Sequence, residues 1–97
     1  MPNSQDLREH RVGMLLDHPG RHPDEILDRL RGALGHGNVG EPDHEGFFEV
    51  GVAAASFESA LEVVWNAVAS AGVEDDVRFA EHPDLPEHWR RRAGGGA

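Results

Sequence analysis

The chain has 97 residues, one domain's worth, and its 18 carboxylates stand against 9 basic residues, all arginine, for a formal charge of −9. It contains no cysteine, lysine or tyrosine, which excludes a disulfide framework, a zinc thiolate site, a thiol nucleophile and the chemistry of amine and phenol side chains. An acidic surface repels phosphate backbones and anionic lipid, which argues against nucleic acid as a partner, and no apolar run is long enough to span a membrane.

The first ten residues are polar and lack an apolar signal core, so the expected location is cytoplasmic. An arginine-only basic set, a single isoleucine at Ile26 and abundant Ala, Gly and Asp reflect the coding bias of a GC-rich bacterial genome. Residues 1–10 are expected to form a flexible arm. Residues 11–92 are expected to form a single domain, and residues 93–97 a flexible glycine-rich tail.

In chain order, residues 11–17 alternate Val12, Met14 and Leu16 as in a half-buried strand, with Leu15 adding apolar weight to the other face. His18-Pro19-Gly20 stops the strand. A first helix is predicted over residues 23–34. Pro23 suits its first position, Asp24 and Glu25 its positive end, and Gly35 its exit. Its buried stripe is Ile26, Leu27, Leu30, Ala33 and Leu34. Residues 37–41 read as a short edge strand and residues 42–46 as a turn. Residues 47–54 form a strand with Phe48, Val50, Val52 and Ala54 toward the helices, and Phe47, Glu49, Gly51 and Ala53 on the other face. Ser56 caps a second helix over residues 57–71, whose stripe includes Phe57, Ala60, Leu61, Val64, Val68 and Ala71. Residues 73–81 form the last strand. Residues 84–91 form a short terminal helix, with Asp84 and Glu87 spaced as a capping box and Leu85 and Trp89 one turn apart.

This order resembles the ferredoxin-like superfold, an α+β two-layer sandwich (βαββαβ). It implies a four-stranded antiparallel sheet in the spatial order 4-1-3-2, with two helices on one face and the short C-terminal helix beyond. The superfold implies no function by itself.

The motifs carry little chemistry. Gly35-His36-Gly37-Asn38-Val39-Gly40 matches GxGxxG, but it closes a helix where a dinucleotide fingerprint must open one, so no cofactor is expected. Ser4, Ser56, Ser59 and Ser70 are the hydroxyl side chains, none sits on a glycine elbow, and no catalytic residue is assigned. Arg90-Arg91-Arg92 suits a helix C-terminus.

Seven histidines remain. On the expected topology His10, His44 and His82 gather at one sheet end, beside Glu9, Asp43, Glu45 and Glu81. They are the candidate metal ligands or acid–base groups. At the other end Asp17, His18 and His22 lie near Glu74, Asp75 and Asp76. Neither set has a recognised metal-binding spacing.

The candidate interface residues are Leu15, Phe47 and Trp89. Leu15 and Phe47 fall on the sheet face without helices, among the small residues Gly13, Gly51 and Ala53. Trp89 either packs on its own domain or anchors a partner. The function expected is a non-catalytic protein-interaction or regulatory module that self-associates through its sheet face, its partner a protein or a second copy. Two alternatives stand beside it: a small ligand- or metal-binding α+β domain, enzymatic or not, that uses the histidines, and an acidic nucleic-acid mimic.

Overall fold

A computed structural model describes residues 7–17, 22–82 and 85. Strand β1 (Arg8–Leu16) leads to helix α1 (Pro23–Leu34), strand β2 (Phe47–Ala54), helix α2 (Phe57–Ala71) and strand β3 (Val77–Phe79). The three strands form one antiparallel sheet in the order β2-β1-β3. β1 is therefore central. It pairs with β2 from Arg8↔Ala54 to Leu15↔Phe47, and with β3 from Met14↔Phe79 to Leu16↔Val77.

Period-two alternation decides the two faces of the sheet. Val12, Met14, Phe48, Val50, Val52, Val77 and Phe79 are buried on one side, in one cluster with Ile26, Leu27 and Leu30 of α1 and Ala60, Leu61, Val64, Trp65 and Val68 of α2. Burying a side chain such as Met14 or Phe48 completely contributes about 1.5–3 kcal/mol. Trp65 packs against Phe79 with ring centroids 5.7 Å apart. It belongs to the core, whereas Phe57, expected in the α2 stripe, lies exposed at the first turn of that helix.

The helix ends follow the predicted signals, with one addition. His22 caps α1, its Nδ1 accepting the Asp24 N–H at 3.2 Å. Ser56 Oγ accepts the Ser59 N–H at 3.1 Å at the start of α2. Gly72 ends α2 in the left-handed region (φ 76°), where a side chain would be strained, and donates its N–H to the Val68 and Ala69 carbonyls. Arg29 joins the two helices. It donates to Glu25 Oε2 at 3.1 Å and to the Ala71 carbonyl at 3.4 Å, a cation at a helix C-terminus.

The sheet corrects the expected four-stranded, ferredoxin-like architecture: among the described residues it has three strands. Of the segment expected as an edge strand, Val39 alone is paired with the sheet, by a single bridge to Val50. The cause is local. His36–Asn38 closes a 3-10 turn, and Asn38 Nδ2 donates to the Leu34 carbonyl at 2.7 Å, so this stretch completes the end of α1. Gly37 and Gly40 disfavour a strand, and Pro42 has no N–H to give a ladder. The Gly40 N–H still reaches the Glu49 carbonyl at 2.8 Å, and the Asp43 N–H the Phe47 carbonyl at 2.9 Å, so the segment lies along β2 without becoming a strand.

Two strand boundaries also differ from expectation. β1 begins at Arg8, because Arg8, Glu9 and His10 pair with Ala54, Ala53 and Val52 although they show no apolar alternation. β3 is confined to Val77–Phe79, because Val73 to Asp76 form a turn closed by the Asp76 N–H on the Val73 carbonyl at 2.9 Å. The predicted terminal helix lies outside the described residues except for Leu85, which is half-buried against the core.

Three residues give β3 little ladder of its own, so its attachment depends on the Phe79 ring. Phe79→Ala should cost about 3–5 kcal/mol of stability in urea unfolding, the range for truncating a fully buried aromatic. A loss below about 1 kcal/mol would show that β3 is held by other means.

Candidate functional site

The sheet face away from the helices carries Glu9, Arg11, Gly13 and Leu15 from β1, Phe47, Glu49, Gly51 and Ala53 from β2, and Arg78 from β3. Leu15 stands directly opposite Phe47 on one side and Arg78 on the other. Both apolar side chains are half-buried. The Phe47 ring lies over Gly13, where an added Cβ would sit 3.0 Å from Phe47 Cε2. Glycine at position 13 thus lets the ring lie down on the sheet.

Around this apolar centre the face is a charge mosaic. Arg11 reaches Glu49 Oε1 at 3.7 Å, and Arg78 reaches Asp17 Oδ2 at 3.6 Å. The side chains of Arg11 and Glu49 are 71% and 50% exposed, so their pair is solvated and weak. On this face Arg11 and Arg78 stand against Glu9, Glu49 and, just past the end of β1, Asp17, in a chain whose total is −9. A shallow cavity of about 350 Å³ runs from Arg11, Phe47 and Glu49 to Asn38, Glu41 and Asp43. Its carboxylates already have partners. Glu41 lies 3.8 Å from Arg31 Nη2, Glu49 pairs with Arg11, and Asp43 serves the backbone.

Asp43 positions Phe47. Its Oδ1 accepts the Glu45 N–H at 2.9 Å and the Phe47 N–H at 3.0 Å, which closes the turn that delivers Phe47 into β2. These two N–H groups, Phe47 first, hold the Asp43 carboxyl below its ordinary value of 3.8.

The histidines do not gather as the expected topology had them. Antiparallel pairing sets the start of β2 beside the end of β1, where Leu16 donates to the Gly46 carbonyl at 2.9 Å. His44, two residues before Gly46, is therefore at the opposite sheet end from His10. His10 and His82 do come together, through Phe57, with ring centroids 6.1 Å and 6.2 Å from it. His10 Nε2 is buried without a hydrogen-bond partner. At the other end the Asp17 N–H bonds the Asp76 carbonyl at 2.9 Å, while His22 is engaged as the α1 cap. Among the described residues no group of three or more His, Asp or Glu is arranged to hold a metal ion. Trp89 lies outside the described residues.

Sequence reasoning placed Leu15 and Phe47 on this face and missed Arg11, Glu49 and Asp43 as its organisers. The aspartate before a His-Glu-Gly turn was the one available signal. No helix among the described residues is long and apolar enough to cross a membrane. No family model, no curated protein and no solved structure matches the chain.

Because the folded state lowers the Asp43 pKa, the ionised carboxylate stabilises the fold above its ordinary value of 3.8, and that contribution is lost as pH falls through the lower folded value. Asp43→Asn should therefore melt below the wild type at neutral pH, and the gap should close in strong acid. Thermal melts at both conditions check this; a gap that is constant with pH would assign the effect to the turn geometry alone.

Proposed function

We propose that this small α+β domain is a non-catalytic interaction module that self-associates through the open face of its sheet. The observation that carries it is the Leu15–Phe47 cross-strand pair: two large apolar side chains, half-buried, on the sheet face that neither α1 nor α2 covers. Such a patch within a polar surround suits a protein partner. The chain's net charge of −9 disfavours nucleic acid. A nucleic-acid mimic would need a continuous negative stripe, and Arg11 and Arg78 interrupt this face. The open side of an antiparallel sheet also suits a second copy, because one surface then serves both partners in a closed dimer.

Sedimentation velocity at micromolar concentration tests the proposal. The wild type should associate. Leu15→Glu, which sets an unpaired charge at the centre of the contact, should weaken association about thirtyfold or more. It should leave the melting temperature nearly unchanged, because Leu15 points away from the core. A wild type that stays monomeric, or a Leu15→Glu variant that associates as the wild type does, would overturn the proposal.

A further inference from the structure

We propose that the first half of β1 offers an open strand edge, on which the same edge of a second copy pairs antiparallel about a two-fold axis at His10. This contact joins two sheets edge to edge. It lies apart from the open face and goes beyond the reading above.

The edge follows from a difference in length. β1 pairs with β2 from Arg8 to Leu15, but with β3 only from Met14 to Leu16. The Gly13 carbonyl accepts the Ala80 N–H and the Asp17 N–H reaches the Asp76 carbonyl, both at 2.9 Å, whereas the Leu16 N–H turns the other way, to Gly46. Odd-numbered residues of β1 thus direct their backbone groups toward β3, and even-numbered ones toward β2. Past Gly13 the chain of β3 leaves the sheet. Ala80 and Glu81 bend, and the His82 ring lies 6.2 Å from Phe57 at the first turn of α2. Among the described residues no backbone group pairs with Glu9 or Arg11 on this side. Such a stretch of unpaired strand is a template for another strand.

Parity and charge select the register. A strand that pairs here does so through Glu9 and Arg11, whose N–H and C=O groups face outward. A two-fold axis at Glu9 would set Glu9 on Glu9. An axis at Arg11 would set Arg11 on Arg11 and run the partner strand into Ala80. An axis at His10 sets each Glu9 opposite the other copy's Arg11. Two hydrogen-bonded pairs then form, each exchanging two backbone bonds, and four side chains of alternating sign meet on the open side of the sheet. The Glu9 carboxylate lies over Gly51, and no ion pair among the described residues holds it there, so it can turn across β1 to the incoming arginine. His10 meets His10 on the side of the helices, where neither ring carries formal charge at neutral pH. The place opposite Gly13 belongs to Ala80, and the residue of the second copy that comes level with it is Leu7, which stands outside β1. The strand therefore ends where the space does. The axis is perpendicular to the sheets, so both open faces stay on one side.

A contact this small is transient, so a covalent trap tests it. The chain contains no cysteine, and a single His10→Cys substitution reads the axis directly. At this non-hydrogen-bonded position facing Cα atoms are about 4.5 Å apart, within disulfide reach. In oxidised glutathione the variant should form a covalent dimer at least about tenfold faster than Ser70→Cys, an exposed control on α2. Adding Arg11→Glu should slow the cross-link about tenfold, because it sets glutamate against Glu9 twice. An equimolar mixture with the variant that combines His10→Cys and Glu9→Arg should restore the rate. Leu15→Glu should leave the cross-link intact, because residue 10 faces the helices and open-face association cannot join it to its copy. Melting curves verify folding. Where His10→Cys melts far below the wild type, a mixture of Glu9→Cys with Arg11→Cys, which cross-links as a pair and in neither variant alone, gives the same reading. A cross-link no faster than the control, one that Arg11→Glu does not slow, or a mixture that stays slow would overturn the pairing.

Discussion

Everything in this domain depends on β1 being paired along both edges. A strand with ladders on two sides has no freedom in register, and a shift of one residue would turn Val12 and Met14 out of the core. The same constraint fixes the opposite side. With Val12 and Met14 committed to the helices, Arg11, Gly13 and Leu15 must face away from them. The face turned from the two helices is thus a necessary product of how the core is built.

Local hydrogen bonds then decide what surrounds that face. Asn38 closes the end of α1, which draws the chain into a tight turn and leaves Val39 as one bridge beside β2. Asp43 ties back to Phe47 and aims it into the strand. Gly40 lies so close to β2 that an added Cβ would sit 3.2 Å from the Glu49 carbonyl. Between them these contacts occupy part of the outer edge of β2, the edge that a bare strand would offer to other chains. Asp43 and Asn38 serve the backbone at the two ends of this segment, while Glu41 turns to Arg31 of α1.

Both helices were legible in the sequence because their signals are short-range and agree with one another: Pro23 and Ser56 at the starts, Gly35 and Gly72 at the exits, apolar spacing between. The long part of β1 and all of β2 were legible from alternation. What was not legible is where pairing begins and ends. Arg8 to His10 join β1 because β2 is long enough to pair with them, a tertiary cause invisible in their own side chains. The segment around Val39 has the apolar residue of a strand and fails to extend because Asn38 satisfies α1 instead. That single competition separates the three-stranded sheet from the four-stranded one. The histidine grouping was misplaced for a related reason. It assigned the turn before β2 to the wrong end of β1, and in an antiparallel sheet that error moves His44 by the whole length of the strand.

The charge of −9 bears on association less than its size implies. Two such copies about 25 Å apart repel by roughly 13 kcal/mol in unscreened water. A Debye length of about 8 Å at physiological salt reduces this to below about 1 kcal/mol. Long-range repulsion is then a weak filter, and the groups within a few ångströms of the contact determine whether two copies can touch. Most of the acidic surface would set carboxylate against carboxylate at that range. On the open face Arg11 and Arg78 stand among Glu9, Asp17 and Glu49 around Leu15 and Phe47, so cations offset part of the local negative charge there.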